Sequence, residues 1–288
     1  MKRLTIFFLA AAMAASCTEK PTTTPTPEPS PEKLPIRISA ETKITSEGFE
    51  YGDQVGLYVT DESEPLRSDN NHVTNMRFVN YGSWEPETQI YWKDKDTRAN
   101  FYCYFPYCGY INNIASHHFT VQSDQTEEYR YKESDFLWGK TESASPSTDA
   151  VDITVKHMMS KVIVELIAGN GYTQEDMNQA SVEISGLYTT ASIDLSNGNV
   201  SPVGEVHNIL PLVDGSSRRA LVVPQSVYDA DVIKVRIGTN THTLKQTVTF
   251  ESGKQHTCTI TVNKTSQGIN IGIGGWESAD EDFGGTVE

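Results

Sequence analysis

Seven histidines and four cysteines are the side chains of this 288-residue chain best suited to metal or nucleophilic chemistry, and their spacing argues against both. His117 and His118 are adjacent, but neighbours in an extended segment point to opposite faces and cannot easily chelate one ion, so a polar loop is the expected setting. His157 stands alone between Lys156 and Met158 and reads as a packed or hydrogen-bonded structural residue rather than a catalyst. Asp94 and Asp96 alternate as in a calcium loop, yet the glycine and distal glutamate of such a loop are missing, which leaves a turn after Trp92. No Gly-x-Ser-x-Gly elbow, His-Glu-x-x-His pair, phosphate loop or dinucleotide fingerprint occurs. The expectation is a protein without cofactor or metal, and an enzyme is the less economical reading.

The cysteines point to export instead. Lys2 and Arg3, an apolar run over residues 4–15 and small residues up to Cys17 make a basic n-region, a short apolar h-region and a cleavage site. Ala14-Ala15-Ser16-Cys17 resembles a bacterial lipobox, with Ala14 where Leu is usual; cleavage before Cys17 would let its sulfur carry a diacylglycerol. The other reading is an ordinary secreted chain with a stray cysteine. Cys103, Cys108 and Cys258 are an odd number and cannot complete a disulfide framework. Cys103 and Cys108 would lie roughly 16 Å apart in an extended strand, so buried free thiols are expected unless the chain turns at Pro106 and lets them pair.

The elements that carry these residues are strands. Residues 18–33 are dominated by Pro and Thr, favour extended polyproline II and read as a tether. From Ile36 onward the hydrophobic period is two, with β-branched and aromatic runs bounded by Gly, Asn, Asp and Pro. Strands are predicted at 36–40, 54–59, 76–81, 89–92, 98–105, 118–122 and 135–139 in the first half. In the second half they are predicted at 151–155, 161–167, 180–184, 191–194, 219–223, 232–237, 242–250, 256–262 and 268–273. Only residues 173–178 suit a helical turn, with Thr173 as its cap. Ile233, Val235 and Ile237 share one face against Lys234 and Arg236, and Cys258, Ile260 and Val262 alternate with Thr257, Thr259 and Thr261. One buried and one wet face is the pattern of antiparallel sheets packed as a sandwich.

A polar stretch over 140–150 containing Pro146 marks a linker. The expected organisation is a signal peptide at 1–16, lipidated cysteine and tether at 17–34, an N-terminal β-sandwich domain at 35–150 and a C-terminal one at 151–288. Loss of Lys2 and Arg3 takes the formal charge from −15 to −17, which makes nucleic acid and anionic lipid unlikely partners. After the signal no apolar run reaches the roughly 18 residues of a spanning helix, so membrane contact is expected only through lipid on Cys17. Tyr102, Tyr104, Phe105, Tyr107 and Tyr110, with Trp84 and Trp92 nearby, offer two readings. They alternate between the core and the other face of a sheet, or they stack on sugar rings in a lipid-anchored, carbohydrate-binding surface protein of an exported glycan-uptake system.

The run Val151-Asp-Ile-Thr-Val-Lys-His-Met-Met-Ser-Lys-Val-Ile-Val-Glu-Leu166 resembles the fimbrillin family of the Bacteroides group, the type V pilins and their Mfa-like relatives. The resemblance also rests on Phe49-Glu-Tyr-Gly-Asp-Gln-Val-Gly-Leu-Tyr58, Ile90-Tyr-Trp92, Asp135-Phe-Leu-Trp-Gly-Lys140, Val222-Val-Pro-Gln225 and Ile271-Gly-Ile-Gly-Gly-Trp276, in that order. It implies two tandem transthyretin-like antiparallel β-sandwich domains and an outer-membrane lipoprotein precursor of a surface fimbrium, serving as stalk, tip or anchor. It implies partners too: other fimbrial subunits by β-strand exchange, and a host or bacterial surface ligand. The exchangeable first strand would be Ile36, Ile38 and Ala40, with Arg37 and Lys43 as the basic residues near a maturation cut that in the family often follows arginine. A donor strand would use Ile269, Ile271, Ile273 and Trp276, a stretch that serves equally as the last strand of its own sandwich.

Overall fold

The computed structural model describes residues 33–42, 48–264, 271–273 and 277–278, and they are almost entirely strand and turn. In chain order come β1 (Ile38–Thr42), β2 (Gln54–Asp61), β3 (Val73–Asn80), β4 (Trp84–Pro86), β5 (Ala99–Phe105), β6 (His117–Thr120), helix α1 (Glu128–Glu133), β7 (Leu137–Ala144) and β8 (Val151–His157). They are followed by β9 (Ser160–Ala168), helix α2 (Gln174–Gln179), β10 (Ser181–Asp194), β11 (Asn199–Ile209), β12 (Leu212–Asp214), β13 (Ser217–Val222), β14 (Gln225–Ile237), β15 (Asn240–Phe250), β16 (Gln255–Val262), β17 (Ile271–Ile273) and β18 (Glu277–Ser278).

Among the described residues these strands form three sheets. The first has the order β1-β8-β7-β5-β2-β3-β4, the second β11-β10-β14-β15 with β6 added on β10, and the third β12-β13-β9-β16-β17 with β18 added on β16. The second and third sheets share one core. Val162, Val164 and Leu166 of β9 and Cys258, Ile260 and Val262 of β16 point into it, as do Ile184 of β10 and Ile233, Val235 and Ile237 of β14. The alternation in β14 and β16 predicted these inward faces residue by residue.

The first sheet departs from the one-face-wet expectation. Val55, Leu57, Val59, Phe101, Cys103, Ile153 and Val155 fill one core, while Tyr58, Tyr102 and Tyr104 on the opposite face join the core of the other two sheets. Central strands covered on both sides lose the solvent face that alternation marks. Tyrosine suits that second face because its ring buries while its hydroxyl still finds a partner: the Tyr104 hydroxyl donates to Asn75 Oδ1 at 2.7 Å and accepts from the Cys108 amide at 3.2 Å.

Pairing is not antiparallel throughout. β1 runs parallel to β8, with Ile38 opposite Val151 and Thr42 opposite Val155, and β9 runs parallel to β16. Such neighbours are far apart in sequence, so no local turn signal announces them. The segments expected separately at 180–184 and 191–194 are one strand, β10, kinked by register shifts between Ile184 and Leu187 and between Tyr188 and Thr190. β11, not anticipated, is an exposed edge whose Pro202 and Gly204 obscure its strand character. β7 runs into the stretch read as linker, β8 lies beyond residue 150 yet belongs to the first sheet, and β6 lies before it yet pairs with β10. Helix α2 forms where expected. Thr173 Oγ1 accepts from the Asp176 amide while Asp176 Oδ2 accepts from the Thr173 amide, a reciprocal capping box. The single turn of α1 buries only Tyr131 and has no periodic signature.

Candidate functional site

The first described segment is held by two different partners. The Ile36 amide donates to the Ile90 carbonyl and the Trp92 amide to the Leu34 carbonyl, both at 2.9 Å, which makes a short antiparallel bridge between Pro35 and Tyr91. This bridge is what the strand expected at 89–92 amounts to. One residue later the chain changes partner: the Val151 amide donates to the Arg37 carbonyl and β1 continues parallel to β8. Ile36, Ile38 and Ala40 point inward and are 1%, 5% and 6% exposed, in the same core as Val55, Phe78 and Ile153. Burial of each isoleucine contributes about 1.5–3 kcal/mol. Arg37 alternates outward and donates to the Thr148 carbonyl at 3.4 Å.

The other edge of β1 has no strand neighbour among the described residues. It faces β4 across a shallow groove of about 570 Å³, lined by Ile38–Thr42, Phe49, Asn80, Ser83 and Trp84. A hydrogen bond crosses that gap from the Trp84 indole to the Ala40 carbonyl at 3.2 Å. Phe49 closes the floor, edge-on to Trp84 at 4.9 Å and to Phe105 at 5.7 Å between ring centres.

The remaining expected residues are distributed as follows. Cys17, Lys43, Ile269 and Trp276 lie outside the described residues. Ile271 and Ile273 lie in β17, antiparallel to β16 with Val262 opposite Ile271 and Ile260 opposite Ile273. His117 packs against Tyr104 and Phe136, while His118 points out, so the pair does not converge. His157 Nδ1 is 2.7 Å from Asp135 Oδ2 and the ring is buried, which ties β8 to the segment leading into β7. Asp94 accepts from the Asp96 amide and from both the amide and hydroxyl of Thr97, the turn expected there; those bonds pull its carboxyl down to about 2. All three described cysteines are free; burial pushes Cys103 and Cys258 up to about 12. Of the aromatic run, Tyr102 and Tyr104 are 5% and 1% exposed and face the shared core, as the alternation reading has it, whereas Tyr110 is exposed.

A second concavity of about 370 Å³ lies between residues 48–53, α1 and β13. Four of its charges are paired, Lys132 with Glu50 and Arg219 with Glu128 at 2.9 Å, the Arg219 guanidinium resting over the Tyr131 ring. Burial raises the Asp53 carboxyl. Among the described residues no group of three or more His, Cys, Asp or Glu is placed to hold a metal ion, and no helix is long and apolar enough to cross a membrane.

Sequence reasoning missed Arg218. It is 1% exposed, and its two terminal nitrogens donate to five carbonyls, those of Gly215, Ser217, Met177, Asn178 and Ala180, at 2.9–3.2 Å. It fastens the end of α2 to the β12–β13 turn. Alternation in β13 puts Arg218 on the face of Ala220 and Val222, opposite Arg219, but the strand expected from the sequence starts at 219 and leaves Arg218 out.

Comparison with known proteins gives a consistent picture. The model of the fimbrillin-like family matches residues 42–276. A crystal structure of a proposed cell adhesion protein from Bacteroides uniformis superposes with a TM-score of 0.68 at 18% identity, covering 88% of this chain and 100% of that one. A proposed cell adhesion protein from Bacteroides ovatus gives 0.65 at 19% identity, covering 85% and 98%. A fimbrial protein from the same species gives 0.53 at 18% identity, covering 79% of this chain and 48% of the other. At these identities the likeness concerns the fold. No curated protein sequence matches the chain.

Proposed function

The chain belongs to the fimbrillin-like family, and from that premise we propose that it is a cell-surface fimbrial subunit, tip or anchor that assembles by β-strand donation. In this reading Cys17 carries the lipid that holds the precursor at the outer membrane, and two tandem transthyretin-like sandwiches follow the tether. Arg37 and Lys43 are the candidate maturation positions, and Ile269, Ile271, Ile273 and Trp276 form the candidate donor segment.

One observation carries the proposal. The first described segment fills a core with Ile36 and, in β1, Ile38 and Ala40; among the described residues β1 is an edge strand paired with β8 alone, and the Trp84 indole donates to it across its other edge. An extended segment from a neighbouring subunit could reproduce those backbone bonds and fill the same pockets with alternate side chains. While in place, β1 also covers an edge that would otherwise template uncontrolled pairing.

The test uses residues 17–288 with a protease site introduced in the 43–47 segment. After nicking, excess synthetic peptide spanning 265–288 is expected to displace the 17–42 fragment and form a one-to-one complex. If the fragment stays bound and neither peptide nor a second subunit enters, strand donation through β1 is wrong.

A further inference from the structure

Two tyrosines beside the β1 groove are built unlike the other exposed aromatics among the described residues. Tyr51 and Tyr81 are 78% and 56% exposed, yet their ring centres are 5.6 Å apart with the planes inclined at 59°. Each sits at the tip of a tight turn followed by a glycine with positive φ, Gly52 at 95° and Gly82 at 94°. Both turns are fixed through one residue, Asn80. Its amide donates to the Asp53 carbonyl, its carbonyl accepts from the Gly52 amide, its side chain donates to the Glu50 carbonyl, and its Oδ1 accepts from the Gly82 amide. The backbone beneath the rings is therefore rigid, and among the described residues neither phenol hydroxyl is hydrogen-bonded. Burying large rings is the default use of aromatics; a chain that stiffens two loops and leaves the rings open keeps them for contact.

The size of the patch selects the occupant. The two rings expose about 250–300 Å², well short of the roughly 800 Å² per partner of a stable protein interface, and their neighbours in the turns are Glu50, Gly52, Asp53, Gly82 and Ser83 rather than apolar residues. That area matches one sugar ring. A pyranose can lay its C–H side on an exposed ring face, and neither phenol hydroxyl has a partner among the described residues to compete with sugar hydroxyls. Acidic Glu50, Asp53 and Glu85 nearby, in a chain of net charge −15, disfavour anionic saccharides.

The geometry points to Tyr51 and Tyr81 as a subsite for a neutral pyranose. A ring of about a dozen heavy atoms held this way binds with a Kd on the order of 1–10 mM. Repetition of the site along a fimbrium would raise avidity by 10²–10⁴, and only this multivalent consequence rests on the subunit function proposed above.

Saturation-transfer NMR on monomeric residues 17–288 tests the site with the methyl pyranosides of glucose, galactose, mannose and N-acetylglucosamine. At least one is expected to bind in the millimolar range. Tyr51→Ala with Tyr81→Ala should weaken it at least tenfold with an unchanged urea midpoint, and Tyr110→Ala, which removes an equally exposed but solitary ring, should change nothing. No binding well above the expected Kd overturns the inference, as does binding that survives the double substitution. Loss of subunit association in the double variant, without any sugar binding, would assign the pair to a subunit interface and also overturn it. Sugar binding by a chain that fails the peptide-displacement test keeps the subsite and removes strand donation.

Discussion

The Trp84 indole on β4 donates to the Ala40 carbonyl on β1 at 3.2 Å, a hydrogen bond that links the two ends of the seven-stranded sheet. Trp84→Phe keeps a ring against Phe49 and removes the bond. It is expected to cost about 1 kcal/mol and to speed amide exchange in β1 roughly five- to tenfold relative to β5. Uniform protection across both strands would mean that the bond does not hold the edge.

Arg218 provides a sharper stability test. Its two terminal nitrogens are satisfied by carbonyls alone among the described residues, and Arg218→Met takes that donor from the buried carbonyl contacts at Met177 and Ala180. The expected loss is about 3–5 kcal/mol by urea unfolding. Arg218→Lys should recover only part of it, because a point charge cannot bridge α2 and the β12–β13 turn as the planar fork does.

Acid should loosen the fold in the histidine range. Burial holds His117, His242 and His256 below the ordinary histidine value, and His256 Nε2 accepts from the Glu251 amide, which a proton on that nitrogen would prevent. Depressed folded values mean that the stabilisation is complete above about pH 6.5 and is lost as pH falls through them. Urea midpoints measured from pH 7.5 to 5 should therefore decline. His256→Gln, which preserves an acceptor, should flatten part of that slope.

Thiol chemistry should separate the three described cysteines. In native protein Cys108, half-buried with its Sγ donating to the Tyr110 carbonyl at 3.2 Å, is expected to alkylate first. Cys103 and Cys258, with thiols near 12, should react only after unfolding. Mass spectrometry of the unreduced chain should find no bridge between Cys103 and Cys108.

Much of this architecture is legible in single residues. Ile233, Val235, Ile237, Cys258, Ile260 and Val262 announce their inward faces by period two, because a strand with one wet side cannot hide it. Thr173 announces α2 by capping chemistry. What stays illegible is non-local. Nothing in Ile38–Thr42 names Val151–Val155 as its parallel partner, and nothing beside Arg218 predicts five carbonyls converging on it. The first sheet's second buried face was likewise hidden, since tyrosine serves a wet face and a covered one alike. At the candidate site, the inward residues of β1 follow from alternation, but the groove beside it and the juxtaposition of Tyr51 with Tyr81 depend on turns that meet only in three dimensions.

The parallel pairing of β1 has a consequence for the order of events during synthesis. β1 is made early, but its partner β8 emerges more than a hundred residues later, after β2, β3, β5 and β7 are available to pair antiparallel with one another. Closing so long a loop is slow compared with forming those neighbouring pairs. The first of these strands in the chain is thus expected to join its sheet late. Replacement of that strand by a segment of another molecule would repeat a late step of folding rather than undo an early one.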